Sequence, residues 1–189
     1  MGVARRIPTS TQELPKTEAA LDYAAQLHAG QVRKADGGPF IDHPHEVAAL
    51  LYGAGAPDDL IAAGALHDAL EQTPITAFDL RRRFGSKIAA LVVAVSEDTR
   101  ITGYTQRKAA LRDQVAPADD ETLMLFAADK VSKVRELRRA PPPRFALGQR
   151  RKRRRQLAHY RRSLTLLRAR LPDSPLVEQL GGELSELSS

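Results

Sequence analysis

The chain has 189 residues, 42% of them hydrophobic, which suits one domain with a sizeable core and excludes an intrinsically disordered protein. It has no cysteine, which excludes disulfides and thiolate metal sites and fits a reducing compartment. Its formal charge is +6, and it shows no apolar run long enough to span a membrane or act as a signal peptide, so a cytoplasmic protein with polyanionic partners is expected.

Residues 1–16 combine Pro8 and Pro15 with Ser, Thr and few large apolar groups, and a flexible arm is expected there. Ala19, Ala20, Leu21, Ala24, Ala25 and Leu27 predict a helix capped by Thr17 and ending near Gly30, with His28 a packed or half-exposed residue upon it. Gln31 to Asp42 reads as a loop turned by Gly37-Gly38-Pro39, with Arg33 and Lys34 at its start. Pro44 disfavours the α region at the residue before it, which predicts a fixed bend at His43. Val47, Leu50 and Leu51 then mark a helix over His45–Gly53, with His45 facing solvent. Asp58 or Asp59 is expected to cap an Ala-rich, buried helix that runs through Leu60, Ile61 and Leu66 to His67-Asp68.

That dipeptide offers an imidazole and a carboxylate, and on a continuous helical segment Glu71 would return to the same face. Pro74 closes the segment, Thr76 caps a short helix to Phe84, and Gly85 ends it. Ile88, Leu91, Val92 and Val95 repeat as a core helix. After a polar loop from Ser96, helices are predicted over Tyr104–Val115 and Asp120–Arg139, broken at Pro117. Asp129 ends an apolar run, where a carboxylate needs a cation or donor to meet it. Pro141-Pro142-Pro143 breaks that helix; beyond it Leu157, Tyr160, Leu164, Leu167 and Leu171 form one stripe and arginines the opposite face. Between Glu136 and Asp173 there is no acidic residue, so a solvated face, a polyanion partner and membrane-surface attraction all stay open for that helix. A last short helix follows Pro175, and the Ser-rich end should fray. With no convincing strand, no internal repeat and no glycine-rich phosphate loop, the fold class is all-α.

His43, His67, Asp68 and Asp129 are the candidate metal ligands, and two imidazoles with two carboxylates favour manganese, iron or zinc over calcium. Four blocks, Ala24 to Lys34, Pro39 to Pro44, Leu66 to Thr73 and Ala128 to Lys130, come in an order and spacing that resembles the hydrolase domain of the RelA/SpoT alarmone enzymes. The likeness spans residues 17–140 and is nearest in length to the small stand-alone hydrolases of that group. It implies an HD-type helical bundle over residues 17–140, with residues 141–189 a basic helical extension packed on it.

The same resemblance implies one Mn²⁺ held by those four ligands and hydrolysis of guanosine 3′,5′-bis(diphosphate), ppGpp, or of pppGpp, with release of the 3′-pyrophosphate. Glu71 would orient the attacking water or move its proton, Arg33 and Lys34 would hold the base and phosphates, and Lys130 would lend a supporting charge. Two positions depart from the pattern. Gln72 puts a neutral amide where the family has a catalytic carboxylate, and Lys133 replaces an Asn that contacts the nucleotide sugar. Two other readings therefore stay open: a related phosphohydrolase that releases orthophosphate from a nucleotide such as NADPH, and a non-catalytic nucleotide or RNA binder using the basic tail. No aromatic residues interleave with those arginines, which disfavours a stacking platform for single strands.

Overall fold

The computed structural model describes residues 14–33, 36–140 and 147–187, so residues 1–13 of the expected arm, Lys34, the proline break at 141–143 and the last two serines lie outside the described residues, while Pro15 and Lys16, expected in the arm, open the first helix. These divide into two compact units. The first, ending at Ser96, holds α1 (Pro15–Leu27), α2 (Asp42–Gly53), α3 (Asp58–Leu66), α4 (Ala69–Gln72) and α5 (Ala77–Val95). The second holds α6 (Tyr104–Val115), α7 (Asp120–Arg139), α8 (Leu147–Arg170) and α9 (Pro175–Glu186). The fold is all-α. An isolated antiparallel bridge between Val32 and Pro39 closes the loop before α2, with Gly37 at φ 75° making the turn. Among the described residues no helix is long and apolar enough to cross a membrane.

In the first unit α3 is the central element, packed by α1, α2 and α5, and every residue from Leu60 to Leu66 is buried. Its small side chains let the neighbours approach closely, above all at Gly64, where a Cβ would stand 2.6 Å from Leu51 Cδ1 and 3.3 Å from Val47 Cγ1. The start of α1 is held from outside the helix. Thr17 is not its cap but a buried first-turn residue, and Asp58 does the capping: its carboxylate accepts the backbone N–H of Lys16 and Thr17 at 3.0 and 2.9 Å and the Thr17 hydroxyl at 2.7 Å. A carboxylate from α3 satisfies two orphan donors at once and faces the positive end of the α1 dipole, which a hydroxyl within the same turn does less well. Neither Asp58 nor Asp59 caps α3, whose N-cap is Pro57.

Two further expectations are corrected here. His43 is not at a bend but in the first turn of α2; Pro44 follows it within that turn, where a missing N–H costs no helical hydrogen bond. The segment through His67 is not continuous either. Helix α3 stops at Leu66, His67 and Asp68 form a turn, and α4 is a separate single turn. Thr76 caps α5 through a reciprocal box with Asp79, and Gly85, at φ 86°, breaks its helical path as expected. Beyond that kink Ile88, Leu91, Val92 and Val95 are buried.

In the second unit α6 and α7 start and stop at the predicted residues, and Asp119 caps α7 by accepting the Thr122 N–H at 2.9 Å. Helix α7 packs against α8 and α9, and α6 against α8. Tyr160, Leu164 and Leu167 of α8 are buried, whereas no residue from 147 to 158 is. Arg135 donates to Glu183 at 2.6 Å, tying α7 to α9, and Arg170 donates to the Ala116 and Ala118 carbonyls at the end of α6.

Asp58→Ala should lower stability by about 1–2 kcal/mol, because two first-turn donors and a buried hydroxyl lose their acceptor. Asp59→Ala removes only a half-exposed pair with Lys16 and should cost under about 0.5 kcal/mol. Urea unfolding of both variants checks the difference.

Candidate metal centre

Three donor groups converge in the first unit. His43 Nε2 lies 3.0 Å from His67 Nε2, and the Asp68 carboxylate is 3.4 Å from the former and 3.5 Å from the latter. All three side chains are buried or nearly so. Donor atoms bound at about 2.1 Å to one ion are separated by about 3.0–3.4 Å, so this spacing is that of ligands around a shared cation. Two imidazole nitrogens with a carboxylate suit a borderline divalent ion better than a hard one such as calcium.

The chain positions each donor by a local device. His67 Nδ1 is 2.8 Å from the Gly64 carbonyl, which can only accept; Nδ1 therefore carries the proton and Nε2 presents its lone pair to the site. His43 is supported by rings: Phe40 meets it edge-on at 6.2 Å, and His28 in turn lies 4.6 Å from Phe40. His28 is packed, as one of its two expected settings, and its Nδ1 is 2.9 Å from the Gln31 Oε1. The Gln31 amide then donates to the Gln72 carbonyl at 3.2 Å, linking the end of α1 to α4. Among the neighbours, His45 is exposed as predicted.

The remaining predicted site residues are distributed as follows. Arg33 is mostly buried, its guanidinium 3.3 Å from Asp42 at the start of α2. Glu71 is half-buried and Gln72 exposed on α4. Asp129 and the half-buried Lys133 stand on α7 in the second unit, and Lys34 lies outside the described residues. Lys130 is buried; its ammonium pairs with Asp129 and sits 4.3 Å from the centre of the Phe126 ring.

Sequence reasoning missed the polar interior of the second unit. Burial works to raise the Glu97 pKa, but Lys108 and Arg107, which both donate to its carboxylate, outweigh that and hold it below the usual range. His159 is buried with Arg112 Nη1 2.7 Å from its Nδ1, and a guanidinium only donates, so the ring proton sits on Nε2. Burial, with the charges of Lys130, Lys108 and Arg112, pushes its pKa down to about 2. The helical spacing of Tyr104, Lys108 and Arg112 was the available signal for this cluster. For the metal centre it was a glycine inside an alanine-rich helix, three residues before a histidine.

Residues 20–162 match the HD domain family, and the chain belongs to it. Within that family it groups with RelA/SpoT-type proteins. The human guanosine-3′,5′-bis(diphosphate) 3′-pyrophosphohydrolase MESH1 is 33% identical over 126 residues, covering 65% of this chain and 70% of that protein. The enzyme of the same description from Aquifex aeolicus is 32% identical over 128 residues, and a GTP pyrophosphokinase from Streptomyces coelicolor 34% over 136. The match covers 67% and 70% of this chain but only 18% and 16% of those two longer proteins. A solved structure described as a metazoan orthologue of SpoT that hydrolyses ppGpp superposes with a TM-score of 0.79 over 96% of this chain and 97% of its own, at 22% identity. A Listeria monocytogenes protein of solved structure gives 0.68 at 26% identity over 81% of this chain.

Gly64→Ala should cost about 1–3 kcal/mol and weaken divalent-ion binding, since the added methyl must displace Leu51 and with it the helix that carries His43. Gly53→Ala, where nothing lies within 4 Å, should be neutral or slightly stabilising. Calorimetric titration with Mn²⁺ beside thermal melting separates the two effects. A second expectation concerns pH. Folded His159 stays neutral down to about 2 while the unfolded imidazole protonates near 6.5, so the unfolded state binds more protons and stability falls as pH drops below about 6.5. His159→Gln removes that component; between pH 6.5 and 4.5 its stability should fall by about 2 kcal/mol less than that of the parent, as read by urea unfolding.

Proposed function

We propose that the chain hydrolyses ppGpp or pppGpp, releasing pyrophosphate from the 3′ position, with one Mn²⁺ held by His43, His67, Asp68 and Asp129. The observation that carries this reading is the convergence of the His43 and His67 Nε2 atoms with the Asp68 carboxylate at 3.0–3.5 Å, in a chain one third identical to proteins described as pyrophosphohydrolases of that nucleotide. His43, His67 and Asp129 are of the side-chain types that hold a metal ion, and the mixed nitrogen and oxygen set admits manganese. When bound, the cation supplies Lewis-acid activation of a water for attack on phosphorus.

The protein's own groups do the rest. Gly64 accepts the His67 Nδ1 proton and so turns Nε2 of that ring toward the ion's position. Glu71, half-buried one turn beyond Asp68, orients the attacking water or takes its proton. Arg33 places a guanidinium beside the turn that carries His43 and holds the base or a phosphate, with Lys34 next to it in sequence. Lys133 offers a cation to the nucleotide end of the substrate, and Gln72 donates hydrogen bonds where a carboxylate would accept them. A neutral amide at that point also fits a substrate with a different phosphate arrangement, such as the 2′-phosphate of NADPH.

Incubation of the purified chain with Mn²⁺ and ppGpp should give GDP and pyrophosphate, and Asp68→Ala should lower turnover by about 10³-fold or more. Gln72→Asp should raise turnover on ppGpp by about tenfold, as a proton acceptor is restored. Orthophosphate from NADPH with ppGpp left intact would move the assignment to the second substrate.

A further inference from the structure

The first half of α8 stands out from the rest of the second unit. From Leu147 to Ala158 none of its residues is buried, and Arg150, Arg151, Lys152, Arg154 and Arg155 are exposed. Of the arginines there, Arg153 is half-buried and donates to the Leu137 carbonyl at 3.1 Å, which anchors the segment on its inner side. Arg150 and Arg154 are four residues apart and share one line along the helix; Arg151 and Arg155 run beside them, and exposed Arg162 continues that second line. No acidic residue lies between Glu136 and Asp173 to neutralise the face. The result is a helical segment about 18 Å long and about 10–12 Å across, anchored on one side and cationic over the rest of its circumference.

We propose that this rod is a basic arm that enters the major groove of double-stranded DNA and is held there by phosphates, without reading sequence. The major groove of B-DNA is about 12 Å wide and admits a helix of this girth, whereas the deep, narrow major groove of A-form RNA does not. Long guanidinium side chains on both flanks of the rod can reach the two phosphate backbones that border the groove. The exposed surface of the rod carries no aromatic side chain on which the bases of a single strand could stack. An anionic membrane is the less suitable partner: the apolar stripe of α8, formed by Tyr160, Leu164 and Leu167, is already buried against its neighbours, which leaves Leu147 as the exposed large apolar residue of the helix. A convex rod also lacks the concavity that a mononucleotide requires.

The test uses the full chain and a short blunt DNA duplex in a fluorescence anisotropy titration at several salt concentrations. The expected result is binding whose log Kd rises linearly with log salt. Replacing Arg150, Arg151, Lys152 and Arg154 together by glutamine should weaken binding about tenfold or more at fixed salt and flatten the salt slope, with the circular dichroism spectrum unchanged. Replacing the three arginines by lysine should keep affinity within about threefold, because phosphate contacts of this kind require charge rather than a planar fork. The inference is overturned if the duplex does not bind, if the glutamine variant binds as the parent does, if duplex RNA of the same length binds equally or more tightly, or if vesicles containing phosphatidylserine capture the protein while the duplex does not.

Discussion

The approach of α2 to α3 at Gly64 is the constraint on which the His43–His67–Asp68 cluster depends. The missing Cβ lets Leu51 and Val47 lie almost on the α3 backbone, and the carbonyl of the same residue takes the His67 Nδ1 proton. One residue thus sets both the distance between the helices and the tautomer of the ligand. If the helices were farther apart, His67 would still present its lone pair, but His43 would no longer meet it at 3.0 Å. Ring contacts extend the support outward, from His43 to Phe40 and on to His28 at the end of α1. The cluster is therefore held by three helices of the first unit, which on the proposed reading lowers the ordering cost of binding an ion.

The second unit handles buried charge differently. It brings ions of opposite sign into direct contact: Asp129 with Lys130, Glu97 with Lys108 and Arg107, and Glu183 with Arg135. Removing one member of such a pair leaves the other uncompensated in a poor solvent, so single substitutions there cost far more than the pair contributes. His159 sits among these cations as a neutral acceptor for Arg112, and its low pKa follows from that company as well as from burial. The exposed half of α8 is the counterpart, with the same residue types and no acidic neighbours in sequence.

What could be read from sequence and what could not divides by the range of the interaction responsible. The ends of α6 and α7, the Thr76 cap, the break at Gly85 and the core stripe from Ile88 to Val95 are set by neighbours within a few residues, and all were legible. The cap of α1 was not, because its acceptor, Asp58, comes from 42 positions beyond Lys16. The bend expected at His43 gives way to helix for a local reason: in the first turn of α2 no helical hydrogen bond needs an N–H from Pro44, so the proline is tolerated there. The break at His67-Asp68 has no Gly or Pro to announce it, and what marks it is the imidazole turning back to the Gly64 carbonyl. That His43, His67 and Asp68 come together was legible because their residue types are costly to bury without partners.

Of the two departures from the family pattern, Gln72 is the one whose setting in the fold isolates its effect. Gln72 is exposed, and the fold uses its backbone carbonyl, which accepts from Gln31, rather than its side chain. An aspartate there would keep that hydrogen bond and disturb no packing. Exchange of a carboxylate for an amide at this position is therefore close to free in stability, so on the proposed function its consequence falls on the ligand rather than on the fold. An amide donates as well as accepts and carries no charge, so it relieves repulsion toward a phosphate oxygen while giving up the ability to take a proton. Both effects act on the same ligand. On the proposed function the first tightens binding of an anion and the second slows any step that needs a base at that point, so Gln72 lowers KM and kcat together.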